Sequence, residues 1–187
     1  MRSDFYLEFE NRFRGDRNSI KHQISEYDPL IKLIIQNSSA PKFIDIGCGR
    51  GEWLERWNKK VPDNFGIECD PAMINICRNI GLNIIDGDVI ESLKKFKDKS
   101  VSLITIFHVI EHLKSEDLFK VIEECYRVLN DDGILIMETP SIDNLLVSSK
   151  LFYIDPTHIT HINPDSLSFT LEKIGFKENE FFYIHGG

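Results

Sequence analysis

Long hydrophobic runs are missing from this sequence of 187 residues. Apolar stretches such as Val101 to Ile106 are broken by polar side chains and fall far short of the length that spans a bilayer. The opening Met1-Arg2-Ser3-Asp4-Phe5 carries no extended apolar segment, so no secretory signal is expected and a cytoplasmic location is. Cysteine is scarce. The four present (Cys48, Cys69, Cys77, Cys125) show no Cys-x-x-Cys spacing, which leaves free cytosolic thiols as the reading. Positive charge is in deficit, with 22 Lys and Arg against 30 Asp and Glu, a net charge of −8. Duplex or long RNA partners require a basic face, so a nucleic-acid partner is not expected, although the bulk value does not exclude a local basic patch. Internal repeats and low-complexity tracts are absent as well.

What is there is the balance of a globular chain: 42% hydrophobic and 28% charged residues, enough length for one domain with a substantial core. Residues 1–40 read as helical, a lid ahead of a main domain over 41–187. Phe5, Phe9 and Phe13 recur every four positions and form one apolar face. Asp28-Pro29 reads as an N-cap with proline at the first helical position, opening a helix over Leu30 to Gln36.

From Lys42 short apolar runs alternate with amphipathic segments. Strands are expected at Lys42–Ile46, Asn64–Glu68, Leu82–Asp86, Ser100–Phe107 and Gly133–Glu138. Helices are expected near Gly51–Lys60, Pro71–Ile80, Ile90–Phe96 and Ser115–Leu129, with a turn at Asn130-Asp131-Asp132-Gly133. This alternation predicts an α/β fold, a doubly wound, mostly parallel sheet of Rossmann-like type. Thr139 to Asn163 is long for a plain connection and suits a lid or substrate loop. Asn163-Pro164 then caps a helix running to about Ile174 and stopped by Gly175, and Phe176 to Ile184 reads as one further strand.

The most informative stretch is Phe43-Ile44-Asp45-Ile46-Gly47-Cys48-Gly49-Arg50-Gly51. A buried strand runs into three glycines spaced two apart, and a helix follows. Glycine permits the tight turn and lets a ligand approach the main chain, while the helix N-terminus offers N–H groups. A phosphate-binding P-loop would need Gly-Lys-Ser/Thr, which is absent. A dinucleotide site would need glycine three residues after Gly49, where Glu52 stands. Asp45 at the strand end would repel a pyrophosphate and welcome a cationic group. Glu68, 21 residues beyond Gly47, ends the second strand where an acid can hold a ribose hydroxyl pair. Asp86-Gly87-Asp88-Val89 ends the third with another acidic site. The alternatives are a ligand-free strand–helix turn at the glycines and ordinary turn residues at Asp86 and Asp88.

Together these features resemble the class I S-adenosylmethionine-dependent methyltransferase family, over roughly Lys42 to Ile184. The resemblance implies that Asp45, Gly47, Cys48, Gly49, Arg50 and Gly51 hold the amino-acid part of the cofactor. It implies that Glu68, with Cys69 beside it, binds the ribose, that Asp88 and Val89 contact the adenine, and that Phe107 closes over the cofactor. S-adenosylhomocysteine is then the product. The family's sheet normally ends in a hairpin. This sequence supplies one terminal strand, so the last strand of that hairpin is expected to be missing, either because a longer protein continues or because a homodimer partner provides it.

Methyl transfer from a sulfonium is an in-line displacement, so the protein supplies alignment and a deprotonated acceptor. Candidate bases gather after strand four. If His108-Val109-Ile110-Glu111-His112 forms a helical turn, His108, Glu111 and His112 share a face. His158 and His161 follow in Asp155-Pro156-Thr157-His158-Ile159-Thr160-His161. His-x-x-Glu-His is similar to the Glu-x-x-Glu-His of metal-dependent O-methyltransferases in ubiquinone synthesis and small-RNA 2′-O-methylation, with His108 in place of the first glutamate. A divalent metal is left open here, and the alternative for both clusters is capping and loop packing. Arg12, Arg14 and Arg17 form a locally basic patch that could bind a carboxylate or phosphate, or simply be a solvated helix end. Arg50 reads as the better-placed cation for a cofactor carboxylate.

Arg-Phe-Arg-Gly (Arg12 to Gly15), Gly-Arg-Gly-Glu-Trp (Gly49 to Trp53), Phe-His-Val-Ile-Glu-His-Leu, Glu-Thr-Pro (Glu138 to Pro140) and Phe-Tyr-Ile-Asp-Pro-Thr-His (Phe152 to His158) resemble methyltransferase domains of bacterial surface-polysaccharide synthesis, often fused to a glycosyltransferase domain. That resemblance implies a sugar hydroxyl or terminal phosphate as acceptor, a small molecule or glycan. The readings that compete are a catalytically silent cofactor-binding module and, against the glycine spacing, an NAD-dependent oxidoreductase.

Overall fold

The computed structural model describes residues 5–184. Three helices lead: α1 (Phe5–Phe13), α2 (Arg17–Gln23) and, after a 3₁₀ turn at Ile24–Tyr27, α3 (Asp28–Asn37). Along α1 the Phe5 and Phe9 rings stack with centroids 6.2 Å apart, and the Phe13 ring tilts on Phe9 at 4.8 Å, as the spacing of four allows. Asp16 caps α2 by accepting from the Asn18 and Ser19 amides. Asp28 is not the cap expected of it. The 3₁₀ turn enters α3 already helical, so Tyr27 occupies the cap position. The Asp28 carboxylate instead takes both ends of the Arg56 guanidinium at 2.6 Å.

The remainder alternates strand and helix: β1 (Phe43–Ile46), α4 (Glu52–Trp57), β2 (Asn64–Glu68), α5 (Pro71–Asn79), β3 (Asn83–Asp86), α6 (Val89–Leu93), β4 (Val101–Phe107), α7 (Ser115–Val128), β5 (Leu129–Glu138) and α8 (Pro164–Ile174). The sheet is parallel throughout, in the order β3-β2-β1-β4-β5. It is the doubly wound α/β arrangement that the alternation predicts. The chain winds outward from β1 in one direction and then restarts at β4 on the other side. The crevice between the carboxyl ends of β1 and β4 is therefore the switch point where such sheets bind ligands.

Strand alternation sorts the core. Ile44, Ile46, Ile104 and Ile106 pack with Val121, Ile122 and Cys125 of α7 and with Leu167 and Leu171 of α8. Phe43, Leu103 and Phe107 face the other way, onto Trp53 and Trp57 of α4 and Ile20, Ile24 and Ile31 of the leading helices. Asp45 and Thr105, in step with Phe43 and Leu103, share that second face, so the leading helices lie over them.

Two expectations need correction. Asn130–Gly133 is not a separate turn. α7 passes directly into β5, whose pairing with β4 jumps from Val101↔Leu129 to Leu103↔Ile134, so these residues form a bulge. Nor does Phe176–Ile184 form a strand. Phe176 packs on the Tyr126 ring and its amide closes onto Leu171, which fixes the chain just after α8. Beyond it the polar run Lys177–Glu180 has no apolar face to bury, so nothing sets a pairing register. β5 thus ends the sheet among the described residues. None of the described helices is long and apolar enough to cross a membrane.

Candidate functional site

The glycine loop after β1 is built as its spacing demands. Gly47, Gly49 and Gly51 all have positive φ, at 67°, 52° and 78°. A Cβ on Gly47 would lie 2.3 Å from the Val109 side chain, and one on Gly51 2.5 Å from that of Leu82. Gly51 leads into α4. Glu68, at the end of β2, accepts from the Gly49 amide at 2.9 Å and from the Cys69 and Asp70 amides at 2.8 and 2.9 Å. It therefore joins the loop to β2 at the position expected for a ribose-binding acid. Asp88 caps α6 through the Ile90 and Glu91 amides, with Val89 opening that helix. The buried Cys48 thiol points at Gly66, and the neighbouring Cys77 thiol donates to the Gly49 carbonyl at 3.2 Å, which ties α5 to the loop.

A cleft above the loop is lined by Asp45, Gly47, Gly49, Arg50, Phe107 and, from the leading helices, Glu10 and Arg14. Phe107 forms its apolar wall, edge-on to Trp53 at 5.1 Å and tilted on Tyr27 at 5.2 Å. Asp45 is 3% exposed and accepts from the Thr105 hydroxyl at 2.7 Å. Burial pushes its carboxyl up to about 7, against the Thr105 hydrogen bond and the Arg14 charge, with Glu68 and Glu52 adding to the rise. A cationic ligand group would reverse that. Arg50 does not stand open to a ligand as the sequence suggested. Its Nε lies 3.0 Å from Glu52 and 3.7 Å from Glu10, and its two terminal nitrogens donate to Asn11 Oδ1 and the Gly15 carbonyl. Packing of α1 against the loop produces this, and Arg17 reinforces it by donating to the Arg50 carbonyl.

An adjoining cavity, lined by Arg14, Gln23, Phe107, His108 and Glu138, opens beside the ends of β4 and β5. His108 has φ +55°, a left-handed conformation strained for a non-glycine residue. Its ring spans Glu138 Oε1 at 3.0 Å and Glu111 Oε1 at 3.4 Å. Partial burial opposes the charged ring, but the bonds to Glu111 and Glu138 outweigh it and hold the His108 pKa above the ordinary histidine value. Tyr27 donates to the other Glu138 oxygen at 2.6 Å.

The turn after β4 is 3₁₀ (Ile110–His112) rather than α, and it still converges the expected residues. Ligand atoms of Glu111, His112 and His158 lie within 4.8 Å of one another. Glu111 is fully buried. Burial raises its carboxyl, yet the His108 hydrogen bond prevails and keeps the pKa below the ordinary value, while burial lowers that of His112. Glu111 Oε1 faces His108 Nδ1 at 3.4 Å and His158 Nε2 at 3.8 Å. The rings are oriented from behind. His158 Nδ1 meets the Phe152 carbonyl at 2.6 Å, an acceptor only, so it donates, and in the neutral ring Nε2 carries the lone pair. Thr157 gives its single hydroxyl proton to Asp155 and so accepts from His112 Nδ1 at 2.8 Å, which leaves His112 Nε2 as acceptor too. One buried carboxylate and two imidazoles in metal-ready tautomers fit a divalent cation. His161 stays outside, stacked on Phe152 at 3.7 Å.

Sequence reasoning missed Glu10, Tyr27 and the orienting pair Asp155–Thr157. The Glu10–Arg14 spacing of four was a readable helix pair. Tyr27 gave no signal, since Glu138 lies 111 residues away.

A methyltransferase-domain family profile matches residues 19–179. The crystal structure of an S-adenosylmethionine-dependent methyltransferase from Archaeoglobus fulgidus superposes with a TM-score of 0.79 at 35% identity, over 92% of this chain and 74% of that one. A probable S-adenosylmethionine-dependent methyltransferase of Mycobacterium tuberculosis is 37% identical over 160 residues, 83% of this chain and 54% of the relative. One from Mycolicibacterium smegmatis is 28% identical over 165 residues, 86% of this chain and 62% of the relative. The chain thus spans between about half and three fifths of the length of these curated relatives.

Proposed function

The chain belongs to the S-adenosylmethionine-dependent methyltransferase family, and from that premise we propose that it methylates a hydroxyl or phosphate oxygen of a sugar or glycan in the cytoplasmic synthesis of a bacterial surface polysaccharide. The observation that carries the O-transfer reading is the cluster of His108, Glu111, His112 and His158 beside the cofactor cleft. Asp45 and the Gly47–Gly51 loop would hold the cofactor's amino-acid end, Glu68 its ribose, and Asp88 and Val89 its adenine, and the cofactor would supply the methyl group at the β1–β4 crevice. The acceptor enters from the His108 and Glu138 side. As the new O–CH₃ bond forms and the S–CH₃ bond breaks, a hydroxyl acceptor's proton passes to a histidine and S-adenosylhomocysteine leaves.

Glu111, His112 and His158 would hold a divalent cation, whose chemistry is to lower the pKa of an acceptor hydroxyl. His108, bracketed by Glu111 and Glu138, works as base once it has lost its proton. The acceptor class rests on the resemblance of Glu138–Pro140 and Phe152–His158 to polysaccharide-associated domains. A fused glycosyltransferase domain or a second copy beside the open edge of β5 belongs to the same reading.

Incubation with S-adenosylmethionine and a panel of sugars, sugar phosphates and oligosaccharides, read by mass spectrometry, tests it. The expected result is one added methyl on an oxygen, reduced by a chelator and restored by added divalent metal. Methylation at nitrogen or carbon, or no transfer to any glycan or phosphate by protein that binds the cofactor, contradicts it.

A further inference from the structure

The leading helices reach the acceptor side of the site through one side chain. Tyr27 ends the 3₁₀ turn before α3, and the next residue, Asp28, takes both ends of the Arg56 guanidinium on α4, which fixes the turn over the sheet. The Tyr27 ring tilts on Phe107 at 5.2 Å and meets Trp53 edge-on at 6.1 Å. Its hydroxyl donates to Glu138 Oε2 at 2.6 Å, while Glu138 Oε1 faces His108 Nε2 at 3.0 Å, so one carboxylate spans the two rings. Glu138 also holds His108 through the backbone, its carbonyl accepting from the His108 amide at 2.8 Å. Burial first, and then the Glu138 charge, push the Tyr27 phenol above its ordinary value, so the hydroxyl stays a donor.

His108 needs such support. Its φ of +55° is a left-handed conformation that a residue with a side chain keeps only when its surroundings impose it. Its half-buried ring lines the cavity where the acceptor enters, beside Glu138. A carboxylate turns easily about its last side-chain bond, and hydrogen bonds at both oxygens fix its plane. We propose that Tyr27 is a positioning residue for His108: its hydroxyl sets the Glu138 carboxylate, and that carboxylate sets the imidazole toward the acceptor. This rests on the reading of His108 as a base in the proposed function. The cover made by the leading helices thereby shapes the acceptor side of the site, and displacing the 3₁₀ turn releases Glu138 and His108 together. Tyr27→Phe keeps the ring against Phe107 and Trp53 and removes this tie alone.

Steady-state kinetics of the whole chain, with S-adenosylmethionine and the sugar or sugar phosphate that the panel above shows to be methylated, test the assignment. Tyr27→Phe is expected to lower kcat by about 10- to 100-fold, the range that misalignment of a reacting group costs, with acceptor KM and S-adenosylmethionine affinity each within about twofold. Glu138→Gln should cost at least as much, and Tyr27→Phe added to it should cost less than about twofold more, because both variants act on one contact. Proton NMR on protein carrying isotope-labelled histidine needs no acceptor. The His108 Nε2 proton, held by Glu138 in the wild type, is expected to exchange faster with water in Tyr27→Phe. Losses that multiply in the double variant, an unchanged kcat or an unchanged exchange rate would each overturn the proposal. Equal loss of turnover and cofactor affinity would overturn it too, by giving Tyr27 a merely structural role. If His108→Ala turns over like the wild type, it is the reading of His108 as a base that fails, and the proposal with it.

Discussion

Asparagine at position 45 is expected to weaken S-adenosylmethionine binding by about a hundredfold and, at pH 8, to raise the melting temperature of the cofactor-free protein. Both effects come from one buried charge. Asp45 sits at the end of β1 with Thr105 as its hydrogen-bond donor, and its carboxyl titrates near 7. In the unfolded chain the same group titrates in the ordinary carboxylate range. Between those values the folded protein holds a proton that the unfolded chain has released, so stability falls as pH rises toward 7 and stays reduced above it. Asparagine removes the penalty, leaves Thr105 an oxygen to donate to, and gains nothing well below the ordinary carboxylate range, where both states are protonated. The cationic end of the cofactor requires the anion, a contact between charges worth a few kcal/mol in a buried site. Wild-type affinity should therefore decline below pH 7, and Asp45→Asn should be weak at every pH. Thermal melts and titrations across pH 5 to 9 check both limbs. A variant that binds like wild type would place the cofactor's cations elsewhere.

Glu111→Gln is expected to lower kcat by about 10²- to 10⁴-fold, the range associated with loss of positioned acid–base chemistry, with S-adenosylmethionine affinity changed less than twofold. The carboxylate is buried away from the glycine loop and faces His108, His112 and His158. Removing its charge also removes part of what holds the His108 pKa above the ordinary histidine value. In the wild type the rate should climb with pH as His108 loses its proton, with a midpoint above that ordinary value. The residual rate of Glu111→Gln should climb at a lower pH. Steady-state pH–rate profiles on the methylated acceptor read this directly. Equal loss of cofactor affinity and turnover would show that Glu111 supports the fold instead.

The sequence made the frame legible because its signals are local. Three glycines after Phe43–Ile46, an acid at Glu68, and strands in the order of helix-separated apolar runs all depend on neighbours a few residues away. What it hid depends on packing across the chain. Arg50 looked available from its place in the loop, but Asn11 of α1 and Gly15 just after it, 39 and 35 residues earlier, supply the oxygens that occupy two of its nitrogens. Asp28 had the composition of a cap until Arg56 claimed it. His112 and His158 were visible as residue types, but only the fold shows Thr157 and Phe152 behind them fixing the tautomers. Phe176–Ile184 failed for the opposite reason. Its aromatic residues suggested a strand, and strand formation depends on a partner and a buried face that local pattern does not reveal.

The central claim is that the hinge after β1 receives a sulfonium nucleoside and not a phosphate-bearing nucleotide. Equilibrium titration of the folded chain with S-adenosylmethionine, repeated in excess ATP and in excess NADH, is its most direct test. Uptake at one site per chain, unaffected by either competitor and displaced by S-adenosylhomocysteine, is the result predicted. Folded protein that ignores S-adenosylmethionine, or that yields it to a dinucleotide, would contradict the account.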